Sequence, residues 1–256
     1  MTIIDAHIHL TDNEYSGYIE HILNNLKALK IKACSVTVNI ETLIKSLEIF
    51  TSTRDVVIPF AGIHPEFAQT EDVTRFIEIV DNNLASIEGI GEIGLDPAYT
   101  ISKKSSYEAQ KEVFNSMLGL AERTKKPVSI HSRGSLDQIL EALRTYDISR
   151  CLLHWFAGSK SQLVKSTDMG LFLSYGPVLV YSKEKKVLLK NTPLDRILVE
   201  TDGPVRYSKC FSDFPSNSSS FLISVVSCVA TVLGMTYYDT VALLQRNAES
   251  YLDRKL

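Results

Sequence analysis

The sequence has only four cysteines, and no two of them stand in the Cys-x-x-Cys spacing of a zinc knuckle or a redox pair. They lie far apart in a chain of 256 residues, at Cys34, Cys151, Cys210 and Cys228. This spacing argues against a disulfide framework and is typical of a reducing compartment. We therefore expect a cytoplasmic protein whose thiols are free.

Long apolar runs and a strong charge of one sign are also missing. No stretch approaches the roughly 18 apolar residues of a membrane span. No basic segment followed by an apolar one precedes the first predicted strand, so we expect no secretory signal. Lys and Arg number 27 and Asp and Glu number 30, which gives a net charge of −3. Without a basic field, non-specific binding to duplex nucleic acid is not expected as the primary role, but local contacts with a few phosphates remain open.

The apolar residues that are present, 45% of the chain, suffice for a large core. Short β-branched runs alternate with longer amphipathic segments, and this alternation indicates a parallel sheet. Eight such units in a chain of this length indicate a (β/α)8 TIM barrel, an α/β fold of roughly 250 residues, with 1–256 as a single domain. The predicted strands are Ile3–Leu10, Ala33–Asn39, Val56–Ile63, Ile87–Leu95, Pro127–His131, Cys151–Phe156, Leu171–Tyr175 and Arg196–Thr201. The predicted helices are Tyr18–Leu29, Glu41–Phe50, Thr70–Asn83, Ser106–Lys125, Ser135–Tyr146, Lys160–Met169, Lys183–Lys190, Ser219–Val232 and Tyr238–Leu252, with a break at Gly234.

The first strand carries the segment Asp5-Ala6-His7-Ile8-His9. In a β-strand residues i and i+2 point to the same face, so His7 and His9 can reach one metal ion together. Two hydrogen-bonded histidines near a surface would produce the same pattern. The segment alone therefore leaves metal binding and a structural role open.

Residues of the types that bind metals recur at the ends of the other predicted strands. Five of the six histidines lie at or near such an end, and the carboxyl ends of parallel barrel strands converge on one face. One catalytic zinc needs only three protein ligands, whereas a set of six suits two ions about 3.5–4 Å apart. Glu92, on the fourth strand, is the candidate bridge, and the nitrogen-rich set favours Zn or Mn, with Mg also open. The candidate ligands are His7, His9, Glu92, His131, His154 and Asp202.

Several segments resemble the TatD family of metal-dependent deoxyribonucleases, within the amidohydrolase-type barrels. The resemblance covers nearly the whole chain, and its specificity comes from the order and spacing of the motifs. It implies a two-metal site made by the six candidate ligands, and hydrolysis of DNA phosphodiesters, often from the 3′ end. The segments are Asp5–His9, Gly62-Ile63-His64-Pro65, Gly91-Glu92-Ile93-Gly94-Leu95-Asp96, Pro127–Arg133, His154, Gly158-Ser159, Glu200-Thr201-Asp202 and Asn247.

Three segments depart from the family pattern. Many members carry His-Cys-Phe-Ser-Gly-Ser where this chain has His154-Trp155-Phe156-Ala157-Gly158-Ser159. Pro97 replaces an aromatic residue that often follows the Leu-Asp pair, and Gly203 replaces an alanine. None of these changes removes a candidate ligand, so they bear on substrate preference.

The remaining candidates receive roles from the expected chemistry. Asp202 is expected to hold and deprotonate the attacking water, and His64 to contact the phosphate or protonate the leaving oxygen. His64 would alternatively hold the loop at Pro65. Arg133 is a candidate phosphate contact or a solvated surface arginine, and Trp155 stacks on an unpaired base or packs beside His154. Asp5 and Glu200 are expected to support the ligands from below or to form an ion pair inside the barrel.

The leading functional hypothesis is a 3′–5′ exonuclease that uses two divalent ions and acts on single-stranded DNA, as a monomer. A hydrolase of small amides, lactones or phosphate esters is the first alternative. Many such enzymes bridge their metals with a modified lysine where this chain has Glu92. Deacylation of mischarged tRNA is a second possibility, and a non-catalytic scaffold that binds metal is a third.

Overall fold

Eight parallel strands follow one another around a ring in chain order, as the computed structural model shows. The structure describes residues 1–50, 52–210 and 212–256. Neighbouring strands pair in parallel, with Asp5 opposite Ala33 and Ala33 opposite Val57, and the register shifts once between β1 and β2 and once between β4 and β5. The predicted TIM barrel is therefore confirmed. The strands are β1 (Ile3–Ile8), β2 (Ile31–Ser35), β3 (Val57–Ala61), β4 (Gly89–Gly94), β5 (Val128–His131), β6 (Cys151–Leu153), β7 (Phe172–Tyr175) and β8 (Ile197–Val199).

The last strand meets the first just beyond their carboxyl ends. The backbone N–H of Asp202 donates to the carbonyl of His7 at 2.9 Å, and the N–H of His9 donates to the carbonyl of Gly203 at 2.8 Å. These two bonds carry the chain that follows β8 directly alongside the chain that ends β1. Closure of the ring therefore brings three of the predicted ligands together.

Helices follow the strands and cover the outside of the ring. In the helix Tyr107–Thr124, Ser106 caps the N-terminus by accepting from the N–H of Ala109 at 3.1 Å, and the apolar face of the helix is buried. The nine predicted helices are present, with ends shifted by a few residues. Two short helices, Pro97–Ile101 and Val178–Tyr181, were not predicted. The helices are α1 (Ile19–Leu29), α2 (Ile40–Phe50), α3 (Val73–Asn82), α4 (Pro97–Ile101), α5 (Tyr107–Thr124), α6 (Leu136–Leu143), α7 (Lys160–Asp168), α8 (Val178–Tyr181), α9 (Lys183–Asn191), α10 (Ile223–Leu233) and α11 (Tyr237–Leu252).

The two C-terminal helices meet at Gly234, as predicted. Gly234 has a φ of 69° and caps α10, a conformation that favours glycine. The start of α10 differs from the prediction, because Ser218–Leu222 forms a π-helical turn before this helix begins. Asn247 on α11 donates to the carbonyls of Leu194 and Ile197 at 2.7 and 2.8 Å, which fastens this helix to the start of β8.

The interior of the ring is filled by a buried apolar cluster that draws residues from six strands. Tyr251 of α11 closes it, because its ring lies 6.2 Å from that of Phe60 and 5.6 Å from that of Phe172. A second, larger cluster lies between the strands and the surrounding helices. One end of the barrel is thus sealed by apolar packing, and the polar residues collect at the other end.

Within the described residues, no single helix is long and apolar enough to cross a membrane. One pair, Ser218–Leu233 and Tyr237–Leu252, meets the length and composition criteria only when taken together, and its two halves are bent by 106°.

Candidate metal centre

The candidate ligands are held by backbone hydrogen bonds that reach across neighbouring strands. The N–H of Glu92 donates to the carbonyl of Thr37 at 2.9 Å, and the N–H of His154 donates to the carbonyl of Ile130 at 3.1 Å. The backbone around Glu92 lies close to Gly62, and only glycine allows this, because a Cβ on Gly62 would lie 2.5 Å from the carbonyl carbon of Gly91. The sheet itself therefore sets the positions of these side chains.

Glu92 is the centre of the cluster and is buried. Its Oε2 lies 3.5 Å from Nε2 of His7 and 3.3 Å from Nε2 of His9. Its Oε1 lies 2.9 Å from Nδ1 of His131 and 2.8 Å from Nε2 of His154. Each carboxylate oxygen thus faces a different pair of imidazoles, as a bridging ligand would.

Asp202 completes the side of the cluster that contains His7 and His9. Its Oδ1 lies 3.5 Å from Nε2 of His7 and 3.4 Å from Nε2 of His9, and these two nitrogens are 3.3 Å apart. Nδ1 of His7 is hydrogen-bonded to Ser129 Oγ at 2.8 Å, and if Nδ1 carries the proton, Nε2 is free to bind a cation.

His154 stands between the two sides. Its ring stacks on that of His7 with centroids 3.9 Å apart, while its Nε2 contacts Glu92. Donor atoms of His7, His154 and Asp202 lie within 4.8 Å of one another, as do those of His7, His9 and Glu92. The structure thus brings all six predicted ligands into one site, with His154 close to both sides.

His64 also enters this site, although the sequence suggested no place for it among the ligands. Its Nε2 lies 3.5 Å from Oε1 of Glu92, in a group with His131. Its Nδ1 accepts the N–H of Glu66 at 3.2 Å, so in the neutral ring Nε2 carries the proton. His64 therefore presents a hydrogen-bond donor to the site, and it also holds the turn at Pro65.

The charges in the cluster favour a cation. Burial, followed by the effect of His154, lowers the pKa of His7 to about 4. Burial raises the pKa of Glu92, but the imidazoles of His64, His154 and His7 outweigh it and hold this pKa well below its usual range. Burial lowers the pKa of His154, but Glu92 outweighs it and raises that pKa to about 9. A buried carboxylate thus holds a proton on a neighbouring imidazole, at a place where a metal ion would supply the positive charge.

Two supporting residues were not identified from the sequence. Asp96 is buried, and its Oδ2 lies 2.9 Å from Nε2 of His131, which leaves Nδ1 to face Glu92. Ser129 holds His7 in the same way. Asp96 comes four residues after Glu92 and Ser129 two before His131, so the two-residue period of a strand was the available signal.

Asp5 supports the chain that follows β8. It accepts from the N–H of Thr201 at 2.9 Å and from Ser218 Oγ at 2.7 Å, and more weakly from the N–H of His7 at 3.4 Å. It pairs with no lysine or arginine in the part of the chain that the structure describes. The alternative of an ion pair inside the barrel is therefore not observed.

Glu200 supports the His154 side of the site. It accepts from the N–H of Trp155 at 2.6 Å and from Ser174 Oγ at 2.5 Å, and its Oε2 is 3.9 Å from Nδ1 of His154. That buried Nδ1 has no hydrogen-bond partner within the described residues. Glu200 therefore lies behind one of the candidate ligands, His154, in the supporting role expected from the sequence.

The two predicted substrate contacts lie at the edge of the site. Nε of Arg133 is 2.9 Å from Oδ2 of Asp96, and 63% of its side chain is exposed. Trp155 stacks on the ring of Tyr207, with centroids 5.4 Å apart and planes inclined by 22°. One face of Trp155 is therefore occupied by Tyr207, a packing partner that the sequence did not suggest.

The donor set fits divalent metal ions. Four imidazoles and two carboxylates converge with their lone pairs directed at one another, an arrangement that is costly unless protons or cations lie between them. Nitrogen and oxygen donors of this kind suit Zn, Mn and similar ions. The residues that would hold the ions are His7, His9, Glu92, His131, His154 and Asp202.

Comparisons with known proteins agree with this chemistry. The family model for TatD related DNase matches residues 4–253. Deoxyribonuclease TATDN3 of Homo sapiens is 26% identical over 96% of this chain and 93% of its own. The uncharacterized metal-dependent hydrolase YabD of Bacillus subtilis is 27% identical over 96% of this chain and 97% of its own. The crystal structure of YJJV, a TatD homolog from Escherichia coli, has a TM-score of 0.87 at 21% identity and covers 98% of both chains.

Proposed function

Because the chain belongs to the TatD related DNase family, we propose that it is a 3′–5′ exonuclease that hydrolyses the phosphodiester bonds of single-stranded DNA. It is a metal-dependent hydrolase of this family. The nuclease proposal depends on one observation, that the two oxygens of Glu92 face two separate pairs of imidazoles. A bridged pair of ions suits in-line displacement at phosphorus.

The proposed site holds two divalent ions. His7 and His9 would bind one of them and His131 and His154 the other, with Glu92 between them and Asp202 at the edge. When bound, such ions lower the pKa of a water molecule to near neutrality and neutralise charge on the phosphoryl oxygens. Zn, Mn and Mg are the candidate ions.

The side chains supply positioning and proton transfer. Asp202 accepts the proton of the attacking water. His9, His154 and His7 outweigh burial and hold the pKa of Asp202 below its usual range, so its carboxylate is ionised and has a free lone pair for that proton. His64 donates its Nε2 proton in a hydrogen bond to a phosphoryl oxygen or to the leaving oxygen. The buried walls of the site strengthen these interactions by excluding bulk water.

A His64→Ala variant is expected to hydrolyse DNA about 10²-fold more slowly while it keeps the full metal content. The reason is that His64 presents a proton, and not a lone pair, to the site. Elemental analysis of the purified variant alongside its kcat checks this. A parallel loss of bound metal would instead make His64 a ligand. His21, an exposed histidine of α1, provides the matched control, since His21→Ala leaves both quantities unchanged.

The proposed function is tested by elemental analysis of the purified protein paired with an assay on 5′-labelled single strands in the presence of Zn²⁺, Mn²⁺ or Mg²⁺. The expected result is metal-dependent, stepwise shortening of the labelled strand, with a 3′-labelled strand losing its label in the first step. Fully metallated protein that leaves DNA intact but cleaves amides, lactones or aminoacyl-tRNA contradicts the proposal.

Three further predictions belong with this proposal. Residues 1–256 form a single domain, the enzyme acts as a monomer, and the exposed part of Trp155 stacks on a base of the substrate. The last is limited to one face of the ring, because Tyr207 covers the other.

A further inference from the structure

Arg133 is held firmly at one end of its guanidinium group and is open at the other. It lies two residues beyond His131, and its Nε contacts the same Asp96 oxygen that contacts Nε2 of His131, both at 2.9 Å. Nη1 and Nη2 donate no hydrogen bond within residues 1–50, 52–210 and 212–256. A buried carboxylate thus fixes this arginine, and a simply solvated arginine would lack such an anchor.

Tyr99, on the short helix α4, gives the arginine a second support. The guanidinium carbon of Arg133 is 5.8 Å from the centroid of the Tyr99 ring, and that ring meets His64 edge to face at 5.4 Å. Lys104 lies at the same distance from the ring, but its amine is paired with Glu66. Arg133 therefore offers the unused donors Nη1 and Nη2 at this rim, whereas the charge of Lys104 is already paired with that of Glu66.

We propose that Asp96, Tyr99 and Arg133 form a subsite for a phosphate group of the DNA strand other than the one being hydrolysed. The imidazole of His131 faces Glu92 with Nδ1 and Asp96 with Nε2. The guanidinium group is thus separated from Glu92 by that ring and the Asp96 carboxylate, outside the metal centre. The inference depends on the proposed nuclease function.

The chemistry of this subsite selects a polyanion. An arginine with free terminal donors binds phosphate oxygens in a forked geometry, and an aromatic ring beneath it limits its orientations. A small amide or lactone has no second phosphate to place here. The subsite would therefore favour a nucleic acid strand over the small substrates that other barrels of this type accept.

The test is a binding scan with single strands whose linkages are phosphorothioates, which resist hydrolysis, except for one neutral methylphosphonate. The neutral linkage is moved along the strand, and the Kd for the metal-loaded protein is measured by fluorescence anisotropy. Apart from the linkage at the metal centre, one further position is expected at which the neutral linkage weakens binding about 10- to 100-fold. Arg133→Gln should weaken binding of the fully charged strand by the same factor and make the protein insensitive to that neutral linkage. Tyr99→Leu should weaken binding about threefold, and Tyr99→Phe should bind normally.

Arg196 provides a matched control. It too lies over an aromatic ring, 5.2 Å from the centroid of Phe172, and pairs with an aspartate, Asp195, but it precedes β8 at the opposite end of the barrel. Arg196→Gln should bind as the wild type does.

Equal binding of the charged strand by Arg133→Gln and wild type overturns the subsite. An Arg133→Gln protein whose binding is still weakened by the neutral linkage overturns it as well.

Unmodified strands distinguish failure of the subsite from failure of the nuclease function. If they are not hydrolysed while the linkage effect is present, the nuclease function fails and the subsite stands. If wild type and Arg133→Gln hydrolyse and bind them equally, the subsite fails and the nuclease function stands.

Discussion

Glu92→Ala is expected to lower kcat by about 10³-fold or more and to reduce the metal content of the purified protein. The side chain touches both halves of the site, since each of its oxygens faces a different pair of imidazoles. Removing it leaves four imidazoles, of which those of His7 and His154 are buried, without their shared anion, so two cations in the same space would repel each other without compensation. Elemental analysis and steady-state kinetics on one preparation measure both effects.

Glu88 is the control for this substitution. It lies just before β4, at the opposite end of the same strand, and its carboxylate pairs with Arg254 at 3.2 Å. Glu88→Ala should keep the metal content and kcat of the wild type. A Glu92→Ala protein that retains two ions and full activity would show that Glu92 does not bridge. Loss of metal from Glu88→Ala would show that disturbance of β4, and not loss of a ligand, explains the result.

The strands were predictable because both of their faces are covered. Strands such as Ile3–Ile8 and Cys151–Leu153 are almost wholly buried, so they stand out as short apolar runs between amphipathic segments. The two missed helices lack such a pattern. Pro97–Ile101 and Val178–Tyr181 are too short to show a helical period, although the first begins at an Asp96 cap followed by Pro97. Their omission matters, since Tyr99 lies on the first of them.

The ligand set was predictable for a different reason. Histidines are rare in this chain, and five of its six fall at strand ends, so their convergence follows from the topology alone. Supporting residues carry no such signal. Asp96 is one of 30 acidic residues, and its spacing from Glu92 is a weak signal beside the contacts of its Oδ2 with His131 and Arg133 in the structure. The sequence also left the role of His64 open, because the ring nitrogen that carries its proton is set by the hydrogen bond that Nδ1 accepts from the N–H of Glu66.

Asp202→Asn is expected to lower kcat by about 10²- to 10⁴-fold, the usual contribution of a general base, while KM and metal content change little. The amide oxygen of asparagine can still contact a metal ion, but the amide cannot accept the proton of the attacking water. Asparagine also suits the backbone here, because Asp202 has a φ of 51° and asparagine is among the residues that adopt this conformation most readily. The substitution therefore isolates proton transfer from ligation and from folding.

The decisive comparison for Asp202 is between its two proposed roles. If it serves mainly as a ligand, Asp202→Asn should lose metal and regain activity when excess Mn²⁺ is added. If it serves as the base, added Mn²⁺ should restore nothing, because the ions are already bound and the missing step is removal of a proton. Asp195→Asn, at the opposite end of β8 and 70% exposed, should behave as the wild type in both measurements. An Asp202→Asn enzyme with an unchanged kcat would rule out the base, and the proton of the water would then have to leave through a different residue of the cluster.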